Sequence, residues 1–128
     1  MAFRAHPNGG GLVEDTAYVA ISAYVGKNAI VKGTARVLET AEIRDFSRIS
    51  GSAWVAGRSV ISGTARVYGN ARVFGLALVN GSAKIHGNAL IFDQAVVGDS
   101  VEILGNTRVF GTAIFLGATR LTSGTHKE

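Results

Sequence analysis

The stretch Val67-Tyr68-Gly69-Asn70-Ala71-Arg72-Val73-Phe74-Gly75-Leu76-Ala77-Leu78-Val79 holds two turns of a six-residue pattern. A bulky apolar residue recurs at 67, 73 and 79, alanine stands two positions before the second and third, and glycine two positions after the first and second. Followed outward in both directions, the bulky position continues in unbroken register from Val13 to Leu121, through nineteen hexads. A period of six matches neither the helical 3.6 nor plain strand alternation; it is the repeat of a parallel β-helix, in which a short strand and a corner together use six residues.

The side-chain chemistry within each hexad supports this fold. Side chains of a strand alternate between faces, so the bulky residue and the small one two before it point inward, with the residues on either side of the bulky one pointing out. Corners follow at Gly33, Gly51, Gly57, Gly63, Gly69, Gly75, Gly81, Gly87, Gly105, Gly111 and Gly117, where glycine takes positive φ at no steric cost. Asp45, Asp93 and Asp99 replace glycine there, and aspartate tolerates the same turn. Three hexads closing a triangle make an eighteen-residue coil, which predicts an all-β, single-stranded parallel β-helix of about six coils, rising roughly 4.8 Å each. Residues 1–11 are expected to cap the first coil, 12–122 to form the β-helix and 123–128 to be a polar tail.

Composition narrows the function classes. The chain has 128 residues, 17 glycines, one proline and no cysteine, so it needs neither disulfides nor thiolate-bound metal. Thirteen basic and nine acidic residues give a net charge of +4, enough for mild attraction to anions but too dilute to name nucleic acid as partner. No apolar run reaches membrane-spanning length, and Met1 to Gly11 lacks a signal-peptide layout, so no membrane partner is expected. The compartment is left open; a domain excised from a secreted protein fits the same features.

Hexads such as Val67-Tyr68-Gly69-Asn70-Ala71-Arg72 and Ile85-His86-Gly87-Asn88-Ala89-Leu90 resemble the left-handed β-helix of the hexapeptide-repeat superfamily, which includes acyltransferases and γ-class carbonic anhydrases. The left hand is implied by that resemblance; the general rule for parallel crossovers favours the right, and right-handed bactofilin-type helices are the alternative. The opening His6-Pro7-Asn8-Gly9-Gly10-Gly11 looks like the lead-in of β-helix modules attached to secreted bacterial proteins acting on glycans. Departures from the enzymes are equally informative. No loop interrupts the register, no C-terminal helix fits after Leu121, and His6, His86 and His126 are too scattered for the three-histidine metal site of the anhydrases. No catalytic residue, metal or cofactor is assigned.

Stacking residues eighteen apart sorts the outward side chains into columns. His86 stands above Tyr68 and below Leu104, with Glu102 across the strand; the spacing specifies no base held by an orienting partner, which reads as a solvated histidine. One basic column runs Arg48, Arg66, Lys84, Glu102, Arg120, a modest anion-attracting strip. Another alternates Tyr18, Arg36, Trp54, Arg72, Leu90, Arg108, separating cations by aromatic or aliphatic groups. Tyr18, Trp54, Arg36 and Arg72 are candidate glycan contacts, since two coils place the aromatics roughly 10 Å apart, comparable to a disaccharide repeat.

The most telling column is apolar. Phe74, Phe92 and Phe110 lie beside Leu78, Val96 and Ile114 across a corner, with Leu76 and Leu116 widening the strip. One contiguous exposed patch of this size marks an interface. Covering some 400 Å² per subunit corresponds to about 10 kcal/mol before association costs. The expected protein is a non-catalytic scaffold or binding module that forms a homo-oligomer, trimer before dimer, or docks a partner protein. An acyl-CoA-dependent acyltransferase with His86 as base, and a glycan-binding module, are the alternatives.

Overall fold

The computed structural model describes residues 2–127, and every regular element in it is a strand of two or three residues. Strands so short have no independent stability; each is held by the coils above and below. They assemble into three sheets that form the sides of a prism. The first side begins with Phe3–Ala5 and Leu12–Glu14 and ends with Arg120–Leu121. The second runs from Tyr18–Val19 to Thr125–His126, and the third from Tyr24–Val25 to Ile114–Phe115. Pairing is parallel with partners eighteen residues apart, as in Val67 with Ile85 and Val73 with Ile91.

The interior is the expected ladder of branched and small residues. Ile43, Ile49, Ile61, Ile85, Ile91 and Ile103 are wholly buried, and the alanines from Ala23 to Ala113 in the small position are buried with them. Where a hydroxyl replaces alanine it is satisfied locally: Ser47 donates to the Arg44 carbonyl at 2.6 Å, Ser59 to Ala56 at 2.8 Å and Thr107 to Leu104 at 2.7 Å. No buried side-chain polar atom lacks a partner among the described residues, as the cost of burying an unpaired polar group requires.

The corners are tighter than the spacing reveals. A Cβ on Gly81 would meet the Asp99 backbone nitrogen at 2.6 Å, because each corner rests on the one above it. Asp45, Asp93 and Asp99 do occupy corners with φ of 57°, 58° and 52°. Each carboxylate accepts from the corner N–H one coil on: Gly63 at 3.0 Å, Gly111 at 3.0 Å and Gly117 at 2.9 Å. Glu39 is a fourth such corner, unmarked by glycine or aspartate, with φ 60° and its carboxylate 2.7 Å from the Gly57 nitrogen.

Both ends depart from the plain repeat. Phe3–Ala5 pairs antiparallel with Leu12–Glu14 and covers the first side. Residues Asn8 to Gly11 cover the third, with Gly11 N–H donating to Val25 and Val25 N–H to Asn8. His6 is buried in this cap, its Nε2 donating to the Ala23 carbonyl at 2.8 Å. At the other end Thr125–His126 extends the second sheet by pairing with Arg108–Val109, so part of the 123–128 segment is strand. That last step is seventeen residues, one fewer than the repeat, and it brings His126 edge-on to the Phe115 ring at 5.5 Å between centroids.

Candidate functional site

The apolar strip takes shape at the corner between the second and third sides. Phe74, Phe92 and Phe110 stack with centroids 5.0 and 4.9 Å apart and planes within 3° of parallel. In-register parallel pairing dictates this: Arg72, Leu90 and Arg108 are ladder partners, and two residues on the phenylalanines inherit the alignment. Phe92, Phe110 and Val96 are half-buried by their neighbours, whereas Phe74 is 36% exposed, Leu76 48%, Leu78 41%, Leu116 52% and Ile114 62%. Those five account for half of the ten exposed large hydrophobics among the described residues. The corner residues run through the middle of this strip. A shallow groove of about 450 Å³ lies at this corner, lined by Gly75, Leu76, Asp93, Gln94, Gly111 and Thr112, with the phenylalanine column on the second side and Leu78, Val96 and Ile114 on the third.

On the second side Trp54 lies between two guanidinium groups, Arg36 from the coil below at 5.4 Å and Arg72 from the coil above at 4.9 Å. Cation–π attraction holds all three side chains together and directs the indole edge outward. Two shallow grooves follow this corner, one lined by Thr16, Tyr18, Thr34, Arg36 and Leu38, the other by Ser52, Trp54, Asn70, Arg72, Asn88 and Leu90. All four candidate glycan contacts therefore line a groove, but a sugar there would meet guanidinium and indole edge; only Tyr18, 56% exposed on the first coil, keeps an open ring.

The first side corrects the reading of His86 as an unpartnered, solvated group. Its ring lies flat on Tyr68, centroids 4.6 Å apart, and Nε2 donates to Glu102 Oε2 at 2.7 Å. Glu102 also accepts from Arg120 Nε at 3.1 Å. The His86 hydrogen bond is the main influence that holds the Glu102 carboxyl below the usual glutamate range; Arg120 adds to it and partial desolvation opposes it. Glu102, sixteen residues on, is the acidic neighbour across the strand, and its long side chain closes the diagonal to the ring, which spacing alone does not specify.

Among the described residues no group of three His, Cys, Asp or Glu side chains converges as a metal site, and no helix is long and apolar enough to cross a membrane. No family model matches the chain, and neither the curated proteins nor the solved structures contain a match.

Proposed function

We infer that the chain is a non-catalytic β-helix scaffold that self-associates through the ridges at its second corner, its occupant being a second copy of the same chain. The observation that carries this reading is the clustering of exposed Phe74, Leu76, Leu78, Ile114 and Leu116 along one edge of the rod, whereas the other exposed large hydrophobics among the described residues, Phe3, Leu12, Tyr18, Ile21 and Phe46, are scattered between residues 3 and 46. A groove flanked by two apolar ridges accepts a protruding aliphatic side chain from a partner. A standard interface of about 800 Å² per partner needs roughly an eighth of the 6250 Å² surface, an area one side of such a rod supplies. Closed symmetry covers the same patch on every copy, and the resemblance to hexapeptide-repeat proteins favours three copies over two.

Light scattering tests it. Phe92→Glu is expected to lower the particle mass towards that of the 13.3 kDa monomer with the β-rich circular dichroism unchanged. Ile114→Asp, which leaves the phenylalanine stack alone, is expected to do the same. A wild-type chain that is monomeric at high concentration, or two variants that keep the wild-type mass, would sink the proposal.

The His86–Glu102 pair favours a second reading, acyl transfer with His86 as base, because an orienting carboxylate is one requirement of such a base. The engaged nitrogen is Nε2, so in this reading Nδ1 would serve as the base. Calorimetric titration with acetyl-coenzyme A discriminates: absence of heat at high ligand concentration excludes this reading.

A further inference from the structure

We propose that the first side binds a linear acidic polysaccharide, one bearing a carboxylate or sulfate on successive sugars, with Arg48, Arg66 and Lys84 as its anion contacts. These three cations are in-register ladder neighbours, on strands about 4.8 Å apart. Like charges directly opposite one another in a sheet are destabilising, and none of these three belongs to an ion pair among the described residues. The ion pairs among the described residues are Arg44–Glu42, His86–Glu102 and Arg120–Glu102. Even Glu102, the ladder neighbour of Lys84, turns to His86 and Arg120 instead. The second side treats the same problem in the opposite way, for Arg36, Arg72 and Arg108 are separated there by Trp54 and Leu90. Cations kept apart on one side and stacked without an ion pair on another point to a polyanion on the latter.

A recess beside the ladder supplies the sugar contact. Ser50 is the small residue in the column Lys32, Ser50, Tyr68, His86, and a groove of about 310 Å³ opens there, lined by Lys32, Arg48, Ser50, Arg66 and Tyr68. His86 covers one face of the Tyr68 ring; the other faces the gap above Ser50. A sugar of a chain running along the rod axis, seated edge-on in this recess, sets its acidic group among Lys32, Arg48 and Arg66, with a hydroxyl against Ser50. Successive sugars of an extended glycan advance by a step comparable to the coil rise, which carries the next acidic groups to Arg66 and Lys84. Single-stranded nucleic acid also presents regular anions, but its binders offer an aromatic platform to successive bases, and this side offers a single open ring face.

The test titrates the full chain with polygalacturonate, dextran sulfate, uncharged dextran and oligothymidylate. Binding of either acidic glycan is expected, weakening steeply as salt rises, with no binding of dextran and weaker binding of the oligonucleotide. The double variant R48Q/R66Q is expected to lose about tenfold or more in affinity, since charge-assisted contacts are lost. R58Q/R108Q, with the same change in net charge on other parts of the rod, is expected to stay within about twofold. Removing stacked cations relieves repulsion, so R48Q/R66Q should melt no lower than wild type and its loss of binding cannot be ascribed to unfolding. Equal losses in the two double variants, tighter binding of the oligonucleotide, or no binding of either acidic glycan at low salt would overturn the proposal.

Discussion

Asp93 offers the sharpest test of how the corners are built. Its backbone sits at φ 58° and its carboxylate accepts from the Gly111 nitrogen at 3.0 Å, so two opposing effects meet at one residue. Asp93→Ala keeps a Cβ in the left-handed region, which costs about 1–2 kcal/mol for an ordinary residue, and removes a hydrogen bond worth about 0.5–1.5 kcal/mol. Asp93→Gly removes the same bond but also the strain, and is expected to lie within about 1 kcal/mol of wild type. Asp93→Asn keeps both an acceptor and tolerance of this conformation and should be nearly neutral. The expected order of stability in urea unfolding is Asp ≈ Asn, then Gly, then Ala. The gap between Gly and Ala, about 1 kcal/mol, corresponds to about 4 °C in melting temperature for a chain of this size. An alanine variant as stable as the glycine variant would refute the claim that backbone conformation, and not the carboxylate alone, selects the residues at these corners.

Ile61→Ala, which empties a wholly buried position between Ile43 and Val79, should cost about 2–5 kcal/mol by chemical denaturation. Hydrogen exchange should localise the loosening to those adjoining coils, since a stacked repeat is held by its neighbours. Glu102→Gln should flatten the acid limb of the stability–pH curve. The lowered carboxyl contributes stability that is present above the usual glutamate range and disappears as pH falls through its folded value, so a variant whose acid limb matches wild type would discount the His86 bond. Ser50→Phe should add a ring beneath Tyr68, raise stability by about 0.5–1.5 kcal/mol and close the groove; acidic-glycan affinity retained in that variant would place the sugar elsewhere.

The hexad made the prism legible because a period of six has one common structural solution, and because Val, Ile and Ala alternate so regularly that register could be counted by hand. It concealed features that depend on reach and not on period. Glu39 occupies a left-handed corner that no turn-forming residue type announces, and only its bond to Gly57 explains it. The shortened final coil, which places His126 against Phe115, arises where the apolar repeat has already ended. The His86–Glu102 bond crosses between columns, whereas stacking residues eighteen apart compares only positions within one. At the apolar edge the repeat marks Asp93, Gln94 and Thr112 as turn residues, and only the folded corner shows that they also line a surface groove beside Leu76.

The same stacking rule determines where this rod can offer a ring to a ligand. Because coils repeat in register, planar side chains in one column lie face to face along the axis: Phe74 on Phe92 on Phe110, Tyr68 on His86, Trp54 between two guanidinium groups. Each ring then turns only its edge to solvent, and a column of aromatics, however conspicuous in sequence, is mainly a stabilising seam. A face becomes available only where the column is broken by a small residue. Ser50 below Tyr68 is such a break, and so is Ala56 below Phe74, the most exposed of the three stacked phenylalanines. The first break sits among arginines and lysines and the second among leucines, so one scaffold presents a polar platform on one side and an apolar one on another. That difference follows from the outward residues alone; the inward residues, which build the fold, are the same valine, isoleucine and alanine beneath both.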